Sequence, residues 1–382
     1  MPQLDYQKRR RRPRLGGVLA VKVELVRKIV FAVSSVVLVC TTVLLLDYYV
    51  LGCFGFFDNS TTIDWGVNFE NTDVGVIEWV VPATGVNANG ETPPVVVSVE
   101  ILEKYRELFE ANKEFVGFLS VNEHINYPVV WREYDNDFYL NHNFELAPME
   151  RGTVFADGWG RWSYPDPASG QRGRPDNVIL HGHDLRVRAL FAPLKDYVHG
   201  RRAFDFLKAN SLIRFDTLFE EGQYKVFAVA QMPAEEYLGE VFPYWQWSEF
   251  VSDDAFYEYV VEMLDRSRFH TDVDLRPGDE ILTLSTCDPT MFSGNVRIVI
   301  SARRVREGES VEMNTDEFVD LLTITRGRNE NGFLRFMMFD HYYRAFNNRA
   351  SWVGRHSRNW DTSRVEGLDG FLARHSNFAY DS

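Results

Sequence analysis

Cysteine is scarce. Cys40, Cys53 and Cys287 are the three in 382 residues, too few for a disulfide framework, and no two stand at the spacing of a structural zinc site. There is no glycine-rich phosphate loop and no internal repeat, which sets aside the common nucleotide-binding motifs and the solenoid folds. Acidic residues show no clustered ligand spacing, so neither a metal nor another cofactor is expected. Basic charge is short everywhere but at one end. Residues 1–28 hold nine Lys and Arg against Asp5 and Glu24, while the whole chain carries a net charge of −14. Neutralising phosphates takes a basic face, so nucleic acid is not an expected partner. What remains, 45% hydrophobic and 25% charged residues, is the composition of a folded protein.

The longest uncharged run is 29–46, IVFAVSSVVLVCTTVLLL, without Pro or Gly. A helix rises 1.5 Å per residue, so about 20 residues cross the ~30 Å core of a bilayer. With Asp47-Tyr48-Tyr49-Val50 as an aromatic interface, a single span over 29–50 is expected. The basic segment 1–28 should stay in the cytoplasm and everything after about residue 51 lie outside. The lipid bilayer is thus the first expected partner. Residues 51–97 read as a stalk, with 83–94 (ATGVNANGETPP) as a spacer.

Beyond the stalk, Ile101, Tyr105, Leu108 and Phe109 form one stripe behind Ser98, the pattern of a capped amphipathic helix. The period then changes to two. Strands are expected at 116–121, 127–130, 152–155, 177–180, 211–215, 225–229, 280–284 and 296–300, a set that fits a closed barrel. A helix at 253–268, with Phe256, Val260, Met263 and Leu264 on its inner stripe, interrupts them before the cysteine strand. The tail, 307–382, lacks Lys and clear alternation; its one expected element is a helix over 315–322.

Cys287 closes the apolar strand ILTLSTC, and Asp288-Pro289 turns the chain away, so the thiol is presented at a strand end. Attack on an amide needs the thiolate, and hence a base or cation nearby. His183 follows the apolar strand NVIL through Gly182, which would let the backbone turn tightly. His181 is a rival two residues earlier. Arg297 sits in the apolar strand VRIVI, ten residues past the cysteine. If it shares the thiol's face, its guanidinium can hold a developing oxyanion.

TLSTC at 283–287, the Gly182-His183 step and Arg297 together resemble the sortases, specifically class B. So do FVGFL at 115–119, INYPVV at 125–130, DNDFYL at 135–140, GTVFAD at 152–157 and FAPLKDY at 191–197. The resemblance covers 98–306. It implies a mainly β, sortase-like closed barrel of about eight strands, with an N-terminal helix, a helix before the cysteine strand and one N-terminal transmembrane helix. It implies Cys287 as nucleophile, His183 as general acid and base, and Arg297 as substrate clamp and oxyanion support. Ser285, Thr286 and Asp288, the last through its backbone amide, would line the substrate pocket. The implied partners are exported proteins bearing a C-terminal sorting signal and a peptidoglycan precursor amine. Two departures stand out: His181 lies where the family commonly has Tyr, and 307–382 exceeds the usual ending. On the residues alone two rivals stay open, an exported cysteine peptidase that only hydrolyses and a membrane-tethered cell-surface binding protein with no activity.

Overall fold

The computed structural model describes residues 16–46, 64–81, 95–163, 173–185, 188–238, 241–290, 295–320 and 361–375. One helix, α1 (Gly16–Leu46), lies in a first unit, Met1–Thr61; every other element lies in a second, Thr62–Ser382. Ser35, Thr41 and Thr42 of α1 turn their hydroxyls back to carbonyls four residues earlier, at 2.7–2.8 Å, so these three are satisfied by their own helix. Side chains of α1 are described at 26–39, 41 and 42. Among the described residues no helix is long and apolar enough to cross a membrane. The expected span, 29–50, runs beyond them at its carboxyl end, and the basic run at 8–14 also lies outside them.

In chain order the strands of the second unit are β1 (Val74–Val81), β2 (Val95–Leu102), β3 (Phe115–Val121), β4 (Ile125–Trp131), β5 (Val154–Ala156), β6 (Asn177–His181), β7 (Leu212–Thr217), β8 (Gln223–Pro233), β9 (Phe269–His270), β10 (Ile281–Cys287), β11 (Val296–Arg304) and β12 (Val319–Asp320). Eight of them close into a barrel in the order β10, β11, β8, β7, β3, β4, β5, β6. Each of the eight expected strands overlaps one of these. The β4–β5 and β6–β10 pairs are parallel and the rest antiparallel.

Alternation fills the inside with Leu119, Val129, Leu180, Leu284 and Ile298. The residues between them are buried as well, because two layers cover the barrel from outside. One is α4 (Asp253–Arg266), which packs Phe256, Val260 and Met263 on Ile179, Ile281 and Val299. Ser252 caps it by accepting from the Ala255 amide, and Asp253 and Asp254 complement its positive end. Burial on both faces is why β6 and β10 carry apolar residues on both sides of the strand, with their few polar side chains buried. At about 1.5–3 kcal/mol for each large apolar side chain buried, this double cover is the main source of their stability.

The second cover departs from the expected capped helix. Residues 95–102 are extended: β2 pairs with β1, and Ser98 faces Glu78 in the register and caps nothing. A single turn at Glu103–Tyr105 leads into α2, which is only Arg106–Ala111. The stripe itself is sound, since Ile101, Tyr105, Leu108 and Phe109 are all buried against Phe118 and Val130. Three consecutive valines and a pairing partner in β1 favour strand over helix here. The expected boundary at residue 98 therefore falls inside a strand, and the spacer 83–94 lies outside the described residues.

The expected tail helix over 315–322 is also replaced, by a turn and the short β12, which pairs with β9. Short helices α3 (Ala203–Ala209) and α5 (Leu368–Arg374) complete the set. Part of the tail packs on the domain: Val365 bridges Leu275, Tyr257 of α4 donates to the Glu366 carbonyl at 2.8 Å, and Phe371 lies 5.4 Å from the Tyr257 ring. Gly367 has a left-handed φ of +80° and passes so close to the Tyr257 hydroxyl that a Cβ would sit 2.3 Å from it.

On β9, burial lowers the His270 imidazole to about 4, and its Nε2 is buried without a hydrogen-bond partner among the described residues. A His depressed below its unfolded value of about 6.5 stabilises the fold above that pH and loses the contribution as pH falls towards 4. Thermal melts between pH 7.5 and 5 should therefore show wild type losing more than His270→Phe. Parallel curves would contradict the assignment.

Candidate active site

Cys287 is the last residue of β10, half-buried, with a free thiol. Its antiparallel partner is Arg297, directly across on β11. Residues paired across a ladder share a face, so thiol and guanidinium leave the sheet on the same side. On the other flank, β6 runs parallel to β10 with His181 beside Ser285, and the Gly182 amide continues the ladder to the Ser285 carbonyl. His183 follows two residues past the carboxyl end of β6, on the flank of β10 opposite Arg297. His183 Nε2 is 3.0 Å from the Leu140 carbonyl, which fixes that nitrogen as a donor.

Gly182 is needed for a reason other than the expected tight turn. Its φ is not left-handed; instead the Phe191 ring lies over it, and a Cβ would come within 2.9 Å. Phe191 is fully buried and returns its amide to the His183 carbonyl at 3.0 Å, so this contact places the imidazole-bearing segment.

The three residues expected to line the pocket divide. Ser285 lies on the thiol's face, but it is buried and its hydroxyl is bonded to Tyr244 at 2.6 Å. Thr286 alternates to the opposite face and donates to the Gly182 carbonyl at 2.7 Å, so it ties the two strands together where the sequence placed it against substrate. The Asp288 amide is not available for an oxyanion either: it donates to the Val296 carbonyl at 2.8 Å, because the β10–β11 ladder continues past the cysteine. Its carboxylate accepts from His199 and Gln231, each at 2.7 Å. Burial raises that carboxyl, but the His199, Thr290 and Gln231 contacts outweigh it and hold Asp288 ionised below the usual range.

Sequence reasoning missed several residues around the rim. Tyr244, seen only as part of an aromatic segment, is pushed up to about 12: burial is the main cause, the nearby Cys287 and Asp157 charges add to it, and Ser285 and Arg297 oppose it. Asp184, next to His183, is raised to about 6 by burial despite Lys195 at 2.7 Å, with the Asp288 charge adding to the rise. Asp157 pairs with His181 at 3.0 Å. No linear spacing could have signalled these pairs, which join residues 11 to 89 positions apart. Among the described residues no group of three His, Cys, Asp or Glu side chains could hold a metal.

The arrangement is a free thiol at a strand end with a guanidinium paired across from it and two histidines at the end of the neighbouring strand. The sortase domain family matches residues 140–305, from the Leu140 carbonyl against His183 to the end of β11. Sortase B of Listeria monocytogenes is 28% identical over 210 residues, 55% of this chain and 77% of its own length. A Staphylococcus aureus sortase B–substrate complex is 25% identical, covers 54% of this chain and 86% of that one, and superposes with a TM-score of 0.44. A sortase B complexed with triglycine is also 25% identical, with 53% and 86% covered and a TM-score of 0.43. The chain carries a sortase domain, distantly homologous to sortase B over the catalytic region.

Gly182→Ala should push Phe191 and His183 apart. A displacement near 1 Å can cost about 100-fold in rate, so thioester formation at Cys287 should fall by that order while the protein still melts cooperatively. A wild-type rate would show that the Phe191 contact does not place His183.

Proposed function

We propose that this protein is a membrane-anchored transpeptidase that cleaves a sorting signal near the carboxyl end of exported proteins and transfers them to a peptidoglycan amine. The observation that carries this reading is the pairing of Cys287 with Arg297 across β10 and β11. The Cys287 thiolate attacks the carbonyl of a threonine in the signal. Arg297 holds the oxygen that gains charge, as a fixed guanidinium does best when it needs no reorganisation. His183 protonates the departing amine, leaving an acyl-enzyme thioester. An acceptor amine resolves it, and water competes slowly. Ser285 supports the substrate side of this groove through its tie to Tyr244, while Thr286 and Asp288 hold the strand ends in place.

Residues 29–50 are proposed as the anchor, with the amino terminus cytoplasmic and the catalytic domain outside. The reading is supported by a helix uncharged from residue 29 to 46 whose described apolar side chains, such as Phe31 at 75%, are exposed within their own unit. Anchoring would confine the enzyme, the exported substrate and a lipid-linked acceptor to one surface and raise their effective concentrations. The full chain should accordingly stay with membranes through alkaline extraction; its release into the supernatant would sink the anchor.

The chemistry is tested with full-length protein in detergent, a library of pentapeptides each holding one threonine, and triglycine as acceptor. Mass spectrometry should detect a Cys287 thioester and a triglycine-joined product, both lost in Cys287→Ala. Arg297→Lys should be at least ~10-fold slower, because a point charge cannot replace the planar fork. Cleavage without transfer would favour a peptidase, and activity surviving Cys287→Ala would exclude thiol chemistry.

A further inference from the structure

Two imidazoles occupy the carboxyl end of β6, and the mechanism above uses one. His181 is in register with Ser285 on β10 and with Phe155 on β5. Alternation therefore puts it on the outer face with Ser285 and Cys287. It is one strand across from Cys287 and two residues back, about 8 Å between Cα atoms at ordinary strand spacings. The ring is part-exposed, and its Nε2 lies 3.0 Å from Asp157 Oδ2.

Asp157 is a built partner. It is 3% exposed and also accepts from Asn136 Nδ2 and the Trp159 amide, each at 3.0 Å. Burial raises its carboxyl, but the His181 contact and these hydrogen bonds outweigh that and keep it ionised. An ionised carboxylate on Nε2 fixes that nitrogen as the donor and leaves Nδ1 as the position that can accept a proton. His183 is oriented by a neutral carbonyl, so the two rings differ in the charge behind them. Tyr244 bonds Ser285 at 2.6 Å, and Ser285 is both the register partner of His181 and the residue two before Cys287 on the same face.

We propose that His181, oriented by Asp157, is the base that accepts the proton of the incoming amine, leaving His183 to the departing amine of the first half. The inference rests on the transpeptidase reading. In this step the acceptor nitrogen bonds to the thioester carbonyl carbon, the carbon–sulfur bond breaks with its electron pair returning to Cys287 Sγ, and the proton released by nitrogen goes to His181 Nδ1. One imidazole would oblige both amines to use the same position in turn. Two, about 7 Å apart along β6, let the acceptor dock beside Ser285 while His183 stays at the thiol.

The test follows both halves separately in full-length protein, with the reactive pentapeptide from the threonine library and triglycine. In His181→Gln and in Asp157→Asn, transfer to triglycine should fall about 100-fold, with acylation slowed far less, so that the thioester accumulates and product shifts to hydrolysis. Added imidazole should restore transfer in His181→Gly, which a purely structural role would not allow. His183→Gln should instead stop acylation. Equal losses in both halves, or transfer unchanged in either His181 or Asp157 variant, would overturn the proposal. Acylation serves as the check that each variant is folded. No acylation of wild type by any peptide would instead sink the transpeptidase reading, and this inference with it.

Discussion

β10 is paired on both sides, antiparallel to β11 and parallel to β6, and the chemistry depends on that mixed pairing. The antiparallel partner delivers Arg297 across from Cys287. The parallel partner brings its carboxyl end, with His181 and then His183, to the same rim. Two antiparallel neighbours would have put the amino end of β6 beside the thiol. A slip of one residue in either ladder would send Cys287, or its partner, to the opposite face.

The register is held mostly by buried polar bonds under α4. Tyr259 reaches Thr283 at 2.6 Å and Ser301 at 2.8 Å, and Thr283 donates to Asn177 at 2.8 Å, joining α4, β10, β11 and β6 through hydroxyls. A buried polar group left unpaired costs about 1–3 kcal/mol, so a shifted register would forfeit several such terms together. Nearer the rim, Ser285 with Tyr244, Thr286 with Gly182 and Asp288 with His199 and Gln231 continue the same logic. Residues that looked like pocket lining in the sequence therefore work mainly as fasteners.

The domain match spans 140–305, yet folded material continues on both sides of it. The β1–β2 hairpin with α2 covers β3 and β4, and residues 361–375 brace α4 through Leu275, Tyr257 and Asp254. The brace matters because α4 carries Tyr259, one of the fasteners of the catalytic strands.

The sequence by itself determined the barrel strands, α4 and the strand-end placement of Cys287, because a period of two or 3.6 and a terminal thiol are local properties. It began the helix too early: 98–102 is strand, imposed by three valines and the distant β1, and the helical turns start only at Glu103. It could not assign Thr286 to its face or foresee that the Asp288 amide was already committed. Those depend on which strand lies next to which and in what direction: the Asp288 amide is committed by the β10–β11 ladder, and the face of Thr286 is tied to β6, about a hundred positions earlier, only when the barrel closes.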